Sequence, residues 1–295
     1  MQNRKFNISS LTAPIAYGIL IAWALLTLLP LFWLYVGAFT PQSQLISIPP
    51  EFSISDFSFV NLQRLFTHDP RTMPVARWML NSLIISVTIT AMSLFFDTLA
   101  GYAFARRKFP GSTLFFAMIL SVMMIPPHAL LVPRFILMTT WTSRFFGNLG
   151  IDFTFYGTWA GVIIPAATAP FGIFLIKQYV QSLPGELEDA ARIDGCTEFQ
   201  IFSRIIAPLA KPAIAVLGIL VFVAQWNNYL WPMIMLNRSS QYTIQVGLAT
   251  MQQQFSTDYG ILLSGAALAS FPIIFVFLVL QRFFVYGLTM GAVKG

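Results

Sequence analysis

The sequence predicts an all-α integral membrane protein with six transmembrane helices, and three observations carry that prediction. Of the 295 residues, 57% are hydrophobic and only 9% are charged, where a soluble domain has about a quarter of its residues charged. Apolar runs long enough to cross about 30 Å of hydrocarbon, roughly 20 residues each, recur six times along the chain. Basic residues gather in alternate connections between those runs, as topology determinants do. Ordinary soluble folds are thereby set aside, and the net charge of +6 becomes a matter of membrane orientation rather than of nucleic-acid binding.

The six runs are, in order, 13–39, 79–105, 114–138, 156–176, 213–236 and 260–280. Arg4 and Lys5 before the first give it the look of a signal peptide. Its length of about 27 residues exceeds a signal-peptide apolar region, so it is expected to be retained. The second run contains Asp97, and an acid inside a membrane span is a functional candidate by default. At a rise of 1.5 Å per residue it lies close to Arg106 and the membrane interface, which favours a structural hydrogen-bonding role. Pro126, Pro127 and Pro133 interrupt the third run, which spans tolerate where neighbours satisfy the freed backbone groups.

With the N-terminus inside, the inner segments hold Arg4, Lys5, Arg106, Arg107, Lys108, Lys177, Arg192, Arg204, Lys211, Arg282 and Lys294, eleven of the 17 basic residues. The run Ala105–Lys108 (ARRK) is the clearest local signal. This orientation puts both termini in the cytoplasm. It divides the chain into a cytoplasmic N-terminus 1–12, a six-helix region 13–287 containing a cytoplasmic loop 181–212, and a cytoplasmic tail 288–295. The long outer loop of about 40–78 carries Pro41, Pro49, Pro50, Pro70 and Pro74.

The loop 181–212 concentrates charge that the rest of the chain lacks. Pro184 suits the first position of a helix. Glu186, Glu188 and Asp189 follow in its first turns, where the helix dipole favours acids. Gly195 suits a helix stop, since glycine accepts the left-handed conformation. Thr197 with Gln200 reads as a capping box for a second helix, and Pro208 and Pro212 are expected to end it. Ala190 and Ala191 keep one face slim enough for a close partner, to which the acids could pair. Two readings stay open on these residues alone, a docking element and an ordinary solvated linker.

Several other features carry less. Trp226, Asn227 and Asn228 in the fifth run, with Asn81 opening the second, are candidates to line a substrate pathway, because sugars are held by aromatic faces and amides. An interfacial aromatic belt and interhelical amide bonds are the alternative, and Trp231 fits the belt. Met118, Met123, Met124 and Met138 suggest lipid-facing or packing positions. Cys196, the only cysteine, allows no intramolecular disulfide and reads as an incidental small residue. His68 and His128 are isolated, so no metal site is expected. No phosphate-binding Gly-x-x-x-x-Gly-Lys-Ser/Thr loop occurs, so an energy source must come from a partner or a gradient.

The segment Asp189-Ala190-Ala191, three residues, Gly195, nine residues, Ile205, one residue, Ala207-Pro208 resembles the EAA loop of ABC-importer membrane subunits. Asp189 stands where that motif has glutamate, and Ala207 where it has leucine. The segments GYAFARRKFPG, LEDAARIDG, WNNYLWP and GLTMGAVKG are similar to the carbohydrate-uptake permeases, nearest the second membrane subunit of maltose-type and glycerol-3-phosphate-type systems. The resemblance implies the type I ABC importer permease fold in a bacterial inner membrane. It implies a homologous permease partner, two cytoplasmic ATPase subunits that bind ATP and magnesium, and an extracytoplasmic solute-binding protein. It also implies that Glu188, Asp189, Ala190, Ala191, Asp194, Gly195 and Pro208 belong to a coupling helix and its turn. This chain is then expected to bind no cofactor and catalyse no reaction. A gradient-driven secondary transporter, a membrane-embedded enzyme and a permease for a non-sugar solute are the alternatives.

Overall fold

A computed structural model describes residues 8–48, 56–67, 73–252 and 257–292, with side chains described within 13–281 of that range. Arg4, Lys5, Pro49, Pro50, His68, Pro70 and Lys294 of the sequence analysis lie outside the described residues, as do the side chains of Arg282 and of the tail 288–295. Every regular element among the described residues is helical.

The chain separates into two compact units, residues 1–70 with 250–270, and residues 71–249 with 271–295. The first unit contains helix α1 (Ile8–Phe39) and helix α2 (Val60–Thr67). The part of α1 from Ile15 to Phe32 leaves its apolar side chains exposed, as a surface meant for lipid does. Its end is tied down by one buried amide, and the same unit carries a more exposed ion pair. Asn61 on α2 donates to the carbonyls of Ala38 (3.3 Å) and Thr40 (2.8 Å), and Arg64 pairs with Asp258 at 2.8 Å.

The second unit is built on helix α3 (Val75–Arg106). Helix α4 (Ser112–Val122) follows it. Next come Trp159–Ile163, a 3₁₀ turn Ile164–Ala166 and helix α5 (Pro170–Gln181). The loop helix α6 (Glu186–Ile193) precedes helix α7 (Lys211–Trp226). Helix α8 (Tyr259–Ala292) completes the chain; it belongs to the first unit up to Ser270 and to the second from Phe271. Both α5 and α7 pack along α3. The α3–α5 crossing is close because glycines sit at it. A Cβ on Gly101 would lie 2.7 Å from the Ile176 side chain, and one on Gly172 would enter the Asp97 carboxylate. Small residues at helix crossings let backbones approach where no hydrophobic drive between helices exists.

Among the described residues four helices are long and apolar enough to cross a membrane, and counting two bent pairs as one span each gives six. The third span is one of those pairs. Ser112–Val122 and Pro127–Asn148 meet at 97°, because Pro126 and Pro127 remove two successive backbone donors. The fifth differs from the uninterrupted run expected over 213–236. Its helix stops at Trp226, and a separate helix covers Leu230–Met235. Asn227 and Asn228 form the break, their N–H groups turning back to Val223 (3.1 Å) and Gln225 (3.2 Å).

Candidate functional site: the loop and the cavity

The loop folds as two helices around a glycine turn. Glu186, Glu188 and Asp189 occupy the first turn of α6. The helix begins at Glu186 with Gly185 as its cap, so Pro184 stands just before the cap rather than at the first helical position. Asp194 closes the helix and Gly195 follows with φ +80°. The Gly195 N–H donates to Arg192 O (3.1 Å) and the Cys196 N–H to Ala191 O (3.0 Å), a complete Schellman pairing of the helix end. Cys196 packs against the cluster that holds Ala191, which supplies the apolar contact of that motif. The capping box forms as the sequence predicts, Thr197 N–H donating to Gln200 Oε1 (2.8 Å) and Gln200 N–H to Thr197 Oγ1 (3.3 Å).

The second loop helix differs from expectation at Pro208. It passes through that residue and ends at Ala210. A π turn over Phe202–Ile206 precedes the proline. The wider turn accommodates a residue that cannot donate to the carbonyl four positions back. Pro212 instead lies in the first turn of α7, where its missing N–H costs nothing.

The loop acids divide by direction. Asp189 is outward, its side chain 73% exposed, and Arg192 of the same helix pairs with it at 2.7 Å. Glu188 is inward and only 2% exposed. Arg106, at the end of α3, brings Nε to 2.9 Å from Glu188 Oε1; the angle makes this a charge contact rather than a directed hydrogen bond. Arg192 approaches the other oxygen of Glu188 at 3.2 Å. Arg106 also donates through Nη2 to the carbonyls of Val180 (2.9 Å) and Leu183 (2.5 Å). Arg107 pairs with Glu198 and donates to the Tyr102 hydroxyl at 2.6 Å. The ARRK segment, read in the sequence as an orientation signal, therefore holds the loop. Beneath it Tyr102, Ile176, Val180, Ala191, Ile201, Ile206, Ala210, Ala213 and Leu217 form one buried cluster.

The opposite face of the loop is apolar and open. Leu187 is 41%, Ile193 87% and Phe199 70% exposed. A Cβ on Gly195 would meet nothing within 4 Å.

Asp97 is fully buried and bound by neutral donors. Ser93 Oγ donates at 2.5 Å, Thr168 Oγ1 donates to Oδ1, and the Ala169 N–H lies 3.2 Å and 3.4 Å from the two oxygens. The carboxylate thus links α3 to the start of α5, as the structural reading expects.

The candidate pathway residues do not assemble as a group. Asn81 is buried and donates to Ser240 O (3.0 Å) and Tyr242 O (2.9 Å), so it ties α3 to a loop. Trp226 is buried against Phe222, their rings stacked at 5.8 Å. Asn227 is exposed and its Oδ1 accepts from Gln245 Nε2 at 3.4 Å. Only Asn228 of the four reaches a cavity with a polar wall. That cavity, of about 530 Å³, lies between residues 122–134, the start of α5 and the end of α7, and its polar residues are Arg134, Thr168, Gln225 and Asn228. Asn228 donates to Gln225 Oε1 at 3.3 Å. Arg134 sits over the Trp231 ring at 4.3 Å. Trp231 departs from the belt reading, being 3% exposed with its Nε1 donating to Gly161 O at 3.1 Å. A second groove of about 580 Å³ along α3, α7 and α8 has only Thr90 and Lys211 as polar residues. It offers no hydrogen-bonding set for a polyhydroxyl ligand. Among the described residues no group of three or more histidine, cysteine, aspartate or glutamate side chains could hold a metal ion.

The sequence reading missed Arg106 and Arg107 as structural ties, and Arg134, Thr168 and Gln225 as cavity residues. The ties had a signal, two adjacent arginines at the end of a span facing a loop rich in acids. The cavity residues had none, since they come from three separate spans.

Residues 97–289 match the model of the binding-protein-dependent transport system inner membrane component. The chain belongs to that family. This permease is 36% identical over 274 residues to the arabinooligosaccharides transport system permease protein AraQ of Bacillus subtilis, covering 92% of each chain. It is 32% identical over 280 residues to the lactose transport system permease protein LacG of Rhizobium radiobacter, covering 95% of this chain and 96% of that one. Its fold matches a chain of a bacterial ABC transporter involved in import of the acidic polysaccharide alginate, with TM-score 0.77, 23% identity and coverage of 96% and 99%. The protein is therefore a membrane permease subunit of the ABC import type. Family membership places it apart from gradient-driven secondary transporters and membrane-embedded enzymes.

Proposed function

We propose that this permease forms, with a homologous subunit, the path by which a sugar, oligosaccharide or related polyol enters a bacterial cell, driven by ATP hydrolysis on two cytoplasmic partner subunits. A solute-binding protein delivers the substrate from outside, and ATP and magnesium are held by the partners. In this reading the loop 181–212 and both termini are cytoplasmic. The observation that carries it is the outward face of the loop. Leu187, Ile193 and Phe199 are exposed on a charge-rich connection between apolar spans, where the chain's own core leaves them uncovered. An exposed apolar face rimmed by charge marks a protein contact. Asp189 and Asp194 border it, the exposed Ala190 keeps α6 slim while Ala191 packs inward, and Gly195 sets the turn that presents it. Glu188 and Pro208 serve the same loop from inside.

Substrate would pass the 530 Å³ cavity, where Asn228 and Gln225 offer amide groups to hydroxyls. The carbohydrate class follows from the relatives, which transport arabinooligosaccharides and lactose by their names.

The test uses Ile193→Cys in a Cys196→Ser background, assembled with the ATPase carrying a cysteine in its contact cleft. A short bifunctional thiol reagent added to inside-out vesicles should link the two chains, with a yield that changes on ATP addition. Labelling of residue 193 only from the outer side of the membrane would overturn the orientation and the coupling role together.

A further inference from the structure

We infer that Arg106 is a positioning residue of transport, the pin through which movement of α6 reaches the membrane spans α3 and α5. The inference rests on the proposed coupling role of the loop and adds a residue outside the EAA segment.

Three elements meet at one guanidinium. Arg106 is the last residue of α3. Its Nη2 binds the Val180 and Leu183 carbonyls at the end of α5, and its Nε faces Glu188 of α6. Val180 lies in the last turn of α5 and Leu183 just past its cap, at a helix C-terminus where the dipole favours a cation. Glu188 sits in the first turn of α6, where the dipole favours an anion. The planar guanidinium has donors enough to serve these acceptors at once, which a lysine ammonium on a flexible stem does not match in geometry.

The site is closed to water on the acid side, with the Glu188 side chain 3% exposed and that of Arg106 18% exposed. A displaced α6 that leaves Arg106 behind keeps Arg192 of its own helix on Glu188 Oε2 but takes the buried Oε1 away from its facing cation, which is costlier than breaking a surface pair. The apolar cluster of Tyr102, Val180 and Ala191 joins the same three helices. It resists compression, and the ion pair resists separation and sliding. Pull and push on α6 are therefore both passed to α3 and α5.

A merely structural pair would lower the amount of assembled transporter. A pin does more, so the readout is substrate imported per ATP hydrolysed, measured in proteoliposomes holding this chain, its permease partner, the ATPase subunits and the binding protein. Glu188→Gln keeps the shape and removes the charge. It should lower that ratio about tenfold, within the range of coupling changes that single residues produce, with the ATPase still co-purifying. Arg106→Lys should give an intermediate ratio. An unchanged ratio in both variants overturns the inference. If Glu188→Gln fails to assemble, Arg106→Cys with Glu188→Cys in a Cys196→Ser background carries the test. Bridging the two thiols with a cleavable bifunctional reagent should restore the ratio, and cleavage should abolish it; a ratio indifferent to the bridge overturns the inference. A wild-type complex showing no ATP-dependent uptake would sink the underlying transport reading instead, so the two failures are distinguishable.

Discussion

The two ends of α3 are fastened by different chemistry. At the Val75 end the ties are neutral. Trp78 Nε1 donates to Ser239 O at 2.8 Å, Asn81 to Ser240 and Tyr242, and Ser82 Oγ accepts the Ile244 N–H at 2.7 Å. At the Arg106 end the ties are ionic, Arg106 with Glu188 and Arg107 with Glu198. Between them, nearer the Arg106 end, Asp97 is an acid held by neutral donors. Neutral bonds make a fixed joint whose partners are backbone groups of one loop. Ionic ties at the other end join three helices, one of which presents an open face. The difference separates a fixed attachment from one placed to carry load.

The largest effect should come from the ionic end. Arg106→Ala leaves Glu188 buried without its main partner and should cost about 3 kcal/mol, read as a fall in the unfolding midpoint of the purified protein in detergent. Replacing both residues by leucine should recover part of that loss, because an apolar pair leaves no stranded charge. A cost below that of Asn81→Ala would break the contrast between the two ends.

Asp97→Ala should come next, at about 2 kcal/mol, since three donors lose their acceptor. Gly172→Val should act on the same joint by forcing a side chain into the carboxylate position, and combining the two changes should cost less than their sum. Strict additivity would show that Gly172 and Asp97 do not share the joint.

Asn81→Ala should lower stability by about 1 kcal/mol and leave the uptake KM unchanged. A raised KM with unaltered stability would return Asn81 to the substrate pathway and contradict its role as a tie. Gly195→Val should have a small effect on stability, about 1–2 kcal/mol for a side chain in the left-handed region, yet should uncouple uptake from ATP hydrolysis. Asp189→Asn should change stability least, by under about 1 kcal/mol for an exposed pair. Its effect should appear in co-purification of the ATPase, which ought to weaken with added salt.

Much of the loop was legible because its signals are local. A positive φ at Gly195, a capping box at Thr197 and Gln200, and acids in the first turn of α6 depend on residues within a few positions of one another. The EAA spacing is local in the same sense, and the family match covers it. The spans were legible because length and apolarity suffice to mark a membrane crossing. Two refinements were not. The 97° bend after Val122 and the break at Asn227 depend on what neighbours do with the freed backbone groups.

The sequence by itself determined that this protein is a helical membrane protein whose charges gather at one loop, because composition and short-range spacing fix both; the permease reading came from its resemblance to a family. Tertiary structure decided which polar residues face inward. Asp189 and Glu188 are adjacent acids, yet one is open to solvent and the other is sealed against an arginine 82 positions earlier in the chain. Asn81 and Asn228 are both amides in spans, yet one binds a loop backbone and the other lines a cavity. A side chain's partner across a hundred residues is set by which helices cross and how closely. That in turn hangs on contacts such as Gly101 against Ile176, which no local pattern announces.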